Sequence, residues 1–184
     1  MKKWVVASLL GLGAMVVLLL GNVRVSDSAV SEGGTGEAVY LVIDLSSGAS
    51  SSSYPVSMLD ALPDPIPDEY KSSKLALRRI PAGHFTMGSP TNELGRRLQD
   101  SSETQHSVTL TEDFYIGVFE VTQRQWELVM GNKPSYFNNT TYYKTRPVEQ
   151  VSYSDVRGAS AGAGWPADNA VDATSFGGKL RAKT

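Results

Sequence analysis

The chain has 184 residues, with 17 Lys and Arg against 19 Asp and Glu, no cysteine and two histidines. That length holds at most one ordinary globular domain plus a leader, and the near-neutral charge excludes a strongly basic nucleic-acid binder. Without cysteine the chain has no disulfide, thiolate metal site, Fe–S cluster or cysteine nucleophile, and two histidines leave little for a histidine-rich metal site.

Met1-Lys2-Lys3 is a short positive start, and Trp4 to Gly21 follows without a charge. A run of that length crosses most of a bilayer as a helix and exceeds the usual apolar core of a secretory signal. Residues 1–29 therefore read as a signal peptide or N-terminal membrane anchor. Asp27-Ser28-Ala29 offers small residues for cleavage. The expected location is extracytoplasmic, periplasmic or secreted, with anchoring in the inner membrane through residues 4–21 if the leader is kept. No cysteine follows the apolar run, so a lipid-modified end is excluded.

Residues 30–70 read as a Ser/Pro-rich tether with one short buried strand over 38–45, where Val39, Val42 and Ile43 are β-branched. Ser46 to Ser53 has six serines in eight residues, and Pro63, Pro65 and Pro67 force an extended chain. A boundary is placed near Lys71, and 71–184 is taken as one unit. Alternation predicts strands around Leu75–Ile80, Phe85–Met87, Val108–Leu110 and Phe114–Val118. Thr122 and Gln125 form a capping box, Val121 and Trp126 a hydrophobic staple, and Gly131 a stop. Ser152 and Asp155 write a second helix start between Val151 and Val156. A last helix is expected from about Asp172, burying Phe176 and Leu180 at i,i+4 spacing, with Lys179, Arg181 and Lys183 near its C-terminal end.

Five blocks in order carry a family resemblance. Arg79-Ile80-Pro81-Ala82-Gly83-His84-Phe85-Thr86-Met87-Gly88-Ser89 opens it, and Gln105 to Leu110 follows. Asp113-Phe114-Tyr115-Ile116-Gly117-Val118-Phe119-Glu120-Val121-Thr122-Gln123 leads into Trp126 and Gly131. Asn132 to Phe137 and Arg146 to Tyr153 complete the series. Together they resemble the formylglycine-generating, or sulfatase-modifying factor, enzymes. The resemblance implies an α+β, irregular and loop-rich fold related to C-type lectin-like domains, incomplete at the C-terminus. Active members oxidise a sulfatase cysteine to formylglycine with copper held by a cysteine pair. This chain has no such pair, so no cofactor is expected in it; copper is expected only with a cysteine-containing C-terminal part, and a sulfatase partner only for an active full-length protein. Iron-dependent relatives use a histidine cluster that His84 and His106 alone do not reproduce.

The expectation is an exported fragment of this family, inactive as given, with no catalytic, cofactor-binding or metal residue. The alternative is a non-catalytic extracytoplasmic binding module. Its ligand surface would be Tyr136, Phe137, Asn138, Tyr142 and Tyr143, near Asn139 and Tyr153, because aromatic rings beside amides can stack a sugar or peptide. Glu149 reads as a strand-end hydrogen-bonding group, Asp155 as a helix-start group, and both histidines as structural. Asn138-Asn139-Thr140-Thr141 holds two overlapping glycosylation sequons. A third reading, a truncated or pseudogene product that cannot fold alone, predicts molten behaviour with Phe119, Trp126 and Tyr153 left without partners.

Overall fold

The computed structural model describes residues 38–96, 103–164 and 170–184. The leader expected over 1–29 and the start of the tether lie outside the described residues. Among those described, no helix is long and apolar enough to cross a membrane.

Mixed helix and sheet build the domain. A four-stranded antiparallel sheet runs β2 (Val56–Leu59), β1 (Tyr40–Asp44), β3 (Lys74–Ile80), β6 (Phe114–Gly117). A separate hairpin joins β4 (Gly83–Met87) to β5 (His106–Leu110). Three helices follow: α1 (Gln123–Met130), α2 (Tyr153–Arg157) and α3 (Phe176–Lys183).

The sheet explains why residues 41–43 are apolar without a break. Successive side chains point to opposite faces, and both faces are covered. Leu41 and Ile43 pair across the ladder with Leu77 and Leu75 and meet Val121, Trp126, Val129, Phe176 and Leu180. Val42 pairs with Ala76 on the other face, where Tyr70 is buried and Leu59, Leu62, Val118 and Phe119 pack. The strand expected over 38–45 is present as β1, and the tether expected around it is corrected over residues 46–70. From Val39 onward the segment belongs to the sheet, and β1 lies between β2 and β3. The serine-rich stretch is only the connection between β1 and β2. Tyr54 within that connection is buried and donates its hydroxyl to the Leu128 carbonyl at 3.0 Å.

The helix ends follow their sequence signals. Thr122 caps α1, and Gln125 completes the capping box; Gly131 stops the helix at φ 82°. Ser152 and Asp155 form the same box on α2, which runs for only five residues. α3 begins at Phe176 with Ser175 as its cap, later than expected. Asp172 instead turns its carboxylate onto the backbone N–H groups of Ser160 and Ala161, at 3.0 and 2.6 Å. Those amides hold its carboxyl below the usual range, the Ser160 amide most of all.

The partners that the truncated-product reading would leave missing are present. Trp126 is buried and stacks on Phe176, with ring centroids 5.0 Å apart and planes at 9°. Its indole N–H donates to Asn132 Oδ1 at 2.9 Å. Phe119 packs against the Val42 cluster, with the Lys71 ammonium 5.0 Å from its ring centroid. Tyr153 lies on the surface and donates to the Gly162 carbonyl at 3.4 Å.

Candidate functional site

The site grows from the start of α1. The chain leaves that helix at Gly131, loops out, and returns antiparallel to the residues that precede and open it. Val148 N–H donates to Val121 O at 2.9 Å, Gln123 N–H to Arg146 O at 2.8 Å, and Thr122 bridges to Pro147. The 132–149 loop is thereby pinned beside the helix start.

Polar contacts fix the loop from inside. Phe137 is held at both backbone groups: its N–H donates to Glu149 Oε1 at 2.9 Å, and its carbonyl accepts from Gln123 Nε2 and Arg146 Nη1, each at 3.2 Å. The Ser135 hydroxyl accepts from Glu149 N–H at 3.2 Å and donates to Glu149 O at 3.3 Å. Ser135 and Gln123 are both buried. Between these anchors lies an open pocket of about 360 Å³, lined by Glu120, Gln123, Phe137, Arg146, Pro147, Val148 and Glu149.

The structure separates the residues that the sequence grouped. Tyr136 and Phe137 are exposed and meet edge-on, with centroids 5.1 Å apart and planes at 87°. Tyr142 is also exposed, under the Arg146 guanidinium at 5.6 Å. Asn138 is exposed at the loop tip. Tyr143 is half-buried beneath the Lys133 ammonium, 4.7 Å from its ring centroid. Lys133 is itself tied to Glu127 of α1 at 3.2 Å. Burial pushes the Glu127 carboxyl up, but Arg124 and Lys133 outweigh that and leave it below its ordinary value. Tyr143 is therefore a strut between loop and helix. Of the expected surface, only Phe137 lines the pocket. Glu149, expected at a strand end, orders the loop through Phe137 N–H. Glu120, Gln123 and Arg146 join the site through long-range pairing that leaves no periodic trace in the sequence.

The model of the sulfatase-modifying factor enzyme 1-like domain matches residues 65–168, more than half of the chain. The chain belongs to this family. Its match begins ahead of the boundary placed near Lys71 and takes in the whole pocket. Chaperone protein LppX of Paenibacillus barcinonensis is 51% identical over 59 residues, which are 32% of this chain. Those residues are 19% of that relative, so the match spans about a fifth of its length. No solved structure matches the chain.

A copper(I) centre of the kind known in active sulfatase-modifying factor enzymes calls for soft thiolate donors. The residues present do not fit one. The chain has no cysteine, and no group of three His, Cys, Asp or Glu side chains converges among the described residues. The two histidines cannot pair. His84 lies across from Thr109 and His106 from Met87, so they project from opposite faces of the hairpin. His84 Nδ1 lies 2.9 Å from Thr109 Oγ1, and His106 Nδ1 lies 3.0 Å from the Thr104 carbonyl. Both are used as hydrogen-bonding groups of their own hairpin.

Proposed function

We propose that this chain is an exported, non-catalytic recognition scaffold of the sulfatase-modifying-factor type. It binds a polypeptide partner, a sulfatase being the first candidate, through the pocket and exposed rings of the 132–149 loop. It performs no oxidation itself. The observation that carries this reading is the combination of a pocket held by backbone pairing of 121–123 with 146–148 and by side-chain bonds to Phe137 with a polypeptide that offers no thiolate ligand. Preformed, partly apolar pockets with a few fixed polar groups suit binding. The apolar run at 4–21 supports export. A relative named as a chaperone is in keeping with a protein that binds without doing chemistry.

The irregular, loop-rich arrangement after Gly131 is what supports a relation to C-type lectin-like domains. A second reading rests on the shared family: a continuation past Thr184 that brings a cysteine pair would make the full protein a copper oxidase with this segment as its N-terminal part. The coding DNA after codon 184 tests that directly.

The test of the main reading is incubation of the chain with a sulfatase-derived cysteine peptide, copper and dioxygen, followed by mass spectrometry. No formylglycine aldehyde should form beyond the level of a protein-free control, in which copper and dioxygen yield only the peptide disulfide. Conversion of the cysteine to formylglycine at a rate that scales with protein would overturn the proposal.

A further inference from the structure

We propose that the junction of α2 and α3 is an oxyanion site, in which the Arg157 guanidinium takes a sulfate or phosphate group, free or at the end of an ester. The site lies outside the 132–149 loop and does not depend on the recognition reading. Arg157 is only 6% exposed. A guanidinium carries five N–H donors, yet a single hydrogen bond serves this one: Nη2 donates to Ala170 O at 3.0 Å. Nε is sealed from solvent without an acceptor. No carboxylate lies within ion-pair distance of Arg157 among the described residues. Asp172 reaches it through the backbone, donating its N–H to Arg157 O at 2.8 Å, but its carboxylate is already turned onto the Ser160 and Ala161 N–H groups. A second cation stands nearby. Gly177 of α3 lies against α2, where a Cβ would sit 3.1 Å from Val156 O, and Arg181 follows four residues later on the same helix face. Burial, and then the Arg157 charge, push the Arg181 guanidinium below its ordinary value.

A buried guanidinium with one neutral carbonyl for a partner costs free energy, and a like charge beside it adds to that cost. A cation would be repelled, and an uncharged ligand would leave the charge uncompensated. An oxyanion supplies both the acceptors and the charge. The planar fork of a guanidinium matches two oxygens of a sulfate or phosphate group. Two cationic side chains on separate helices attract a doubly charged ion more strongly than a lone carboxylate. The approach is by way of Nη1, which has no partner and is not among the sealed atoms.

Isothermal titration calorimetry of sodium sulfate and sodium phosphate into the full chain, with sodium chloride holding the ionic strength constant, reads the binding. The Arg157 Nε–H resonance reads where the ion sits. One ion per chain should bind saturably, and that resonance should move with the same affinity. Arg157→Lys keeps the charge and loses the fork, so it should weaken binding about tenfold, the worth of one charge-assisted hydrogen bond. Arg181→Gln should weaken it by a smaller factor, and this half-buried position carries the test if Arg157→Lys does not fold. Phenyl sulfate and phenyl phosphate separate the two sources: tighter binding than the free ions assigns the site to an ester's end group, and weaker binding to the free ion. Failure of all four ligands to bind saturably would overturn the site. So would an Arg157 resonance that stays in place while the heat saturates, or full affinity in the variants that fold. Acetate bound as tightly as sulfate would overturn the sulfate or phosphate assignment. None of these results bears on the 132–149 loop, which the oxidation assay above judges separately.

Discussion

Replacing Gln125 with glutamate separates two accounts of the same residue. By helix capping alone, glutamate at this third helical position is the preferred partner of a threonine cap, so Gln125→Glu should be neutral or slightly stabilising. The structure gives the opposite expectation. Gln125 is 1% exposed, and its amide works at both ends. Oε1 accepts from Thr122 N–H at 2.9 Å, while Nε2 donates to Tyr70 O at 3.2 Å and to Lys74 O at 2.7 Å. The donor end joins α1 to the chain that leads into β3. A carboxylate keeps the first bond, loses the other two, and sets a buried negative charge against two carbonyl oxygens. Two lost buried hydrogen bonds cost about 1–3 kcal/mol, and the unpaired buried charge raises the total to about 3–5 kcal/mol. The assay is urea denaturation followed by circular dichroism, with the free energy taken from the midpoint at constant slope. The introduced carboxyl has its folded-state pKa raised above the unfolded value of about 4.3, so the variant should recover stability as the pH falls and lose it as the pH rises through that raised value. A variant as stable as the parent at neutral pH would refute the reasoning.

Phe176→Ala removes the ring stacked on Trp126 and should cost about 3–5 kcal/mol, with loss of near-ultraviolet circular dichroism; an unchanged denaturation midpoint would show that the pair carries no weight. Gly178→Ala would raise stability if helix propensity ruled, but a Cβ there would sit 2.0 Å from the Asp172 carbonyl oxygen. It should therefore destabilise by about 1–3 kcal/mol in the same titration. Asp155 accepts from Ser152 Oγ and N–H, each at 2.7 Å, and the Ser152 hydroxyl above all holds its carboxyl below the ordinary range. That contribution is complete above the ordinary aspartate value of about 3.9 and is lost as the pH falls through the lowered one. Asp155→Asn should accordingly make the acid limb of stability against pH shallower, and an unchanged limb between about pH 4 and 2 would contradict it.

Local signals were legible in the residues, and long-range ones were not. The caps at Thr122 and Ser152 and the stop at Gly131 act within one helical turn, so spacing alone reveals them. The buried strand around Val42 shows because both of its faces need apolar groups. Its neighbour β2, Val-Ser-Met-Leu, is too short and too half-buried to stand out beside a serine-rich run, and the whole segment looks like a tether until its pairing is seen. Asp172 looks like a helix start because aspartate usually caps its own helix; here it binds amides twelve and eleven residues earlier. The aromatic cluster was visible as composition, but composition cannot tell Tyr143, pinned beneath Lys133, from Phe137 at the pocket edge. Gln123, Glu120 and Arg146 reach the pocket only because the loop returns to Val121, and that return is set by backbone hydrogen bonds that any sequence could make.

Copper(I) competition against a strong chromophoric chelator tests the central claim most directly. If the chain is a scaffold without thiolate ligands, one equivalent of protein should leave the chelator fully loaded and dioxygen unconsumed. Stoichiometric transfer of copper(I) to the chain, followed by dioxygen uptake in the presence of a thiol peptide, would contradict it.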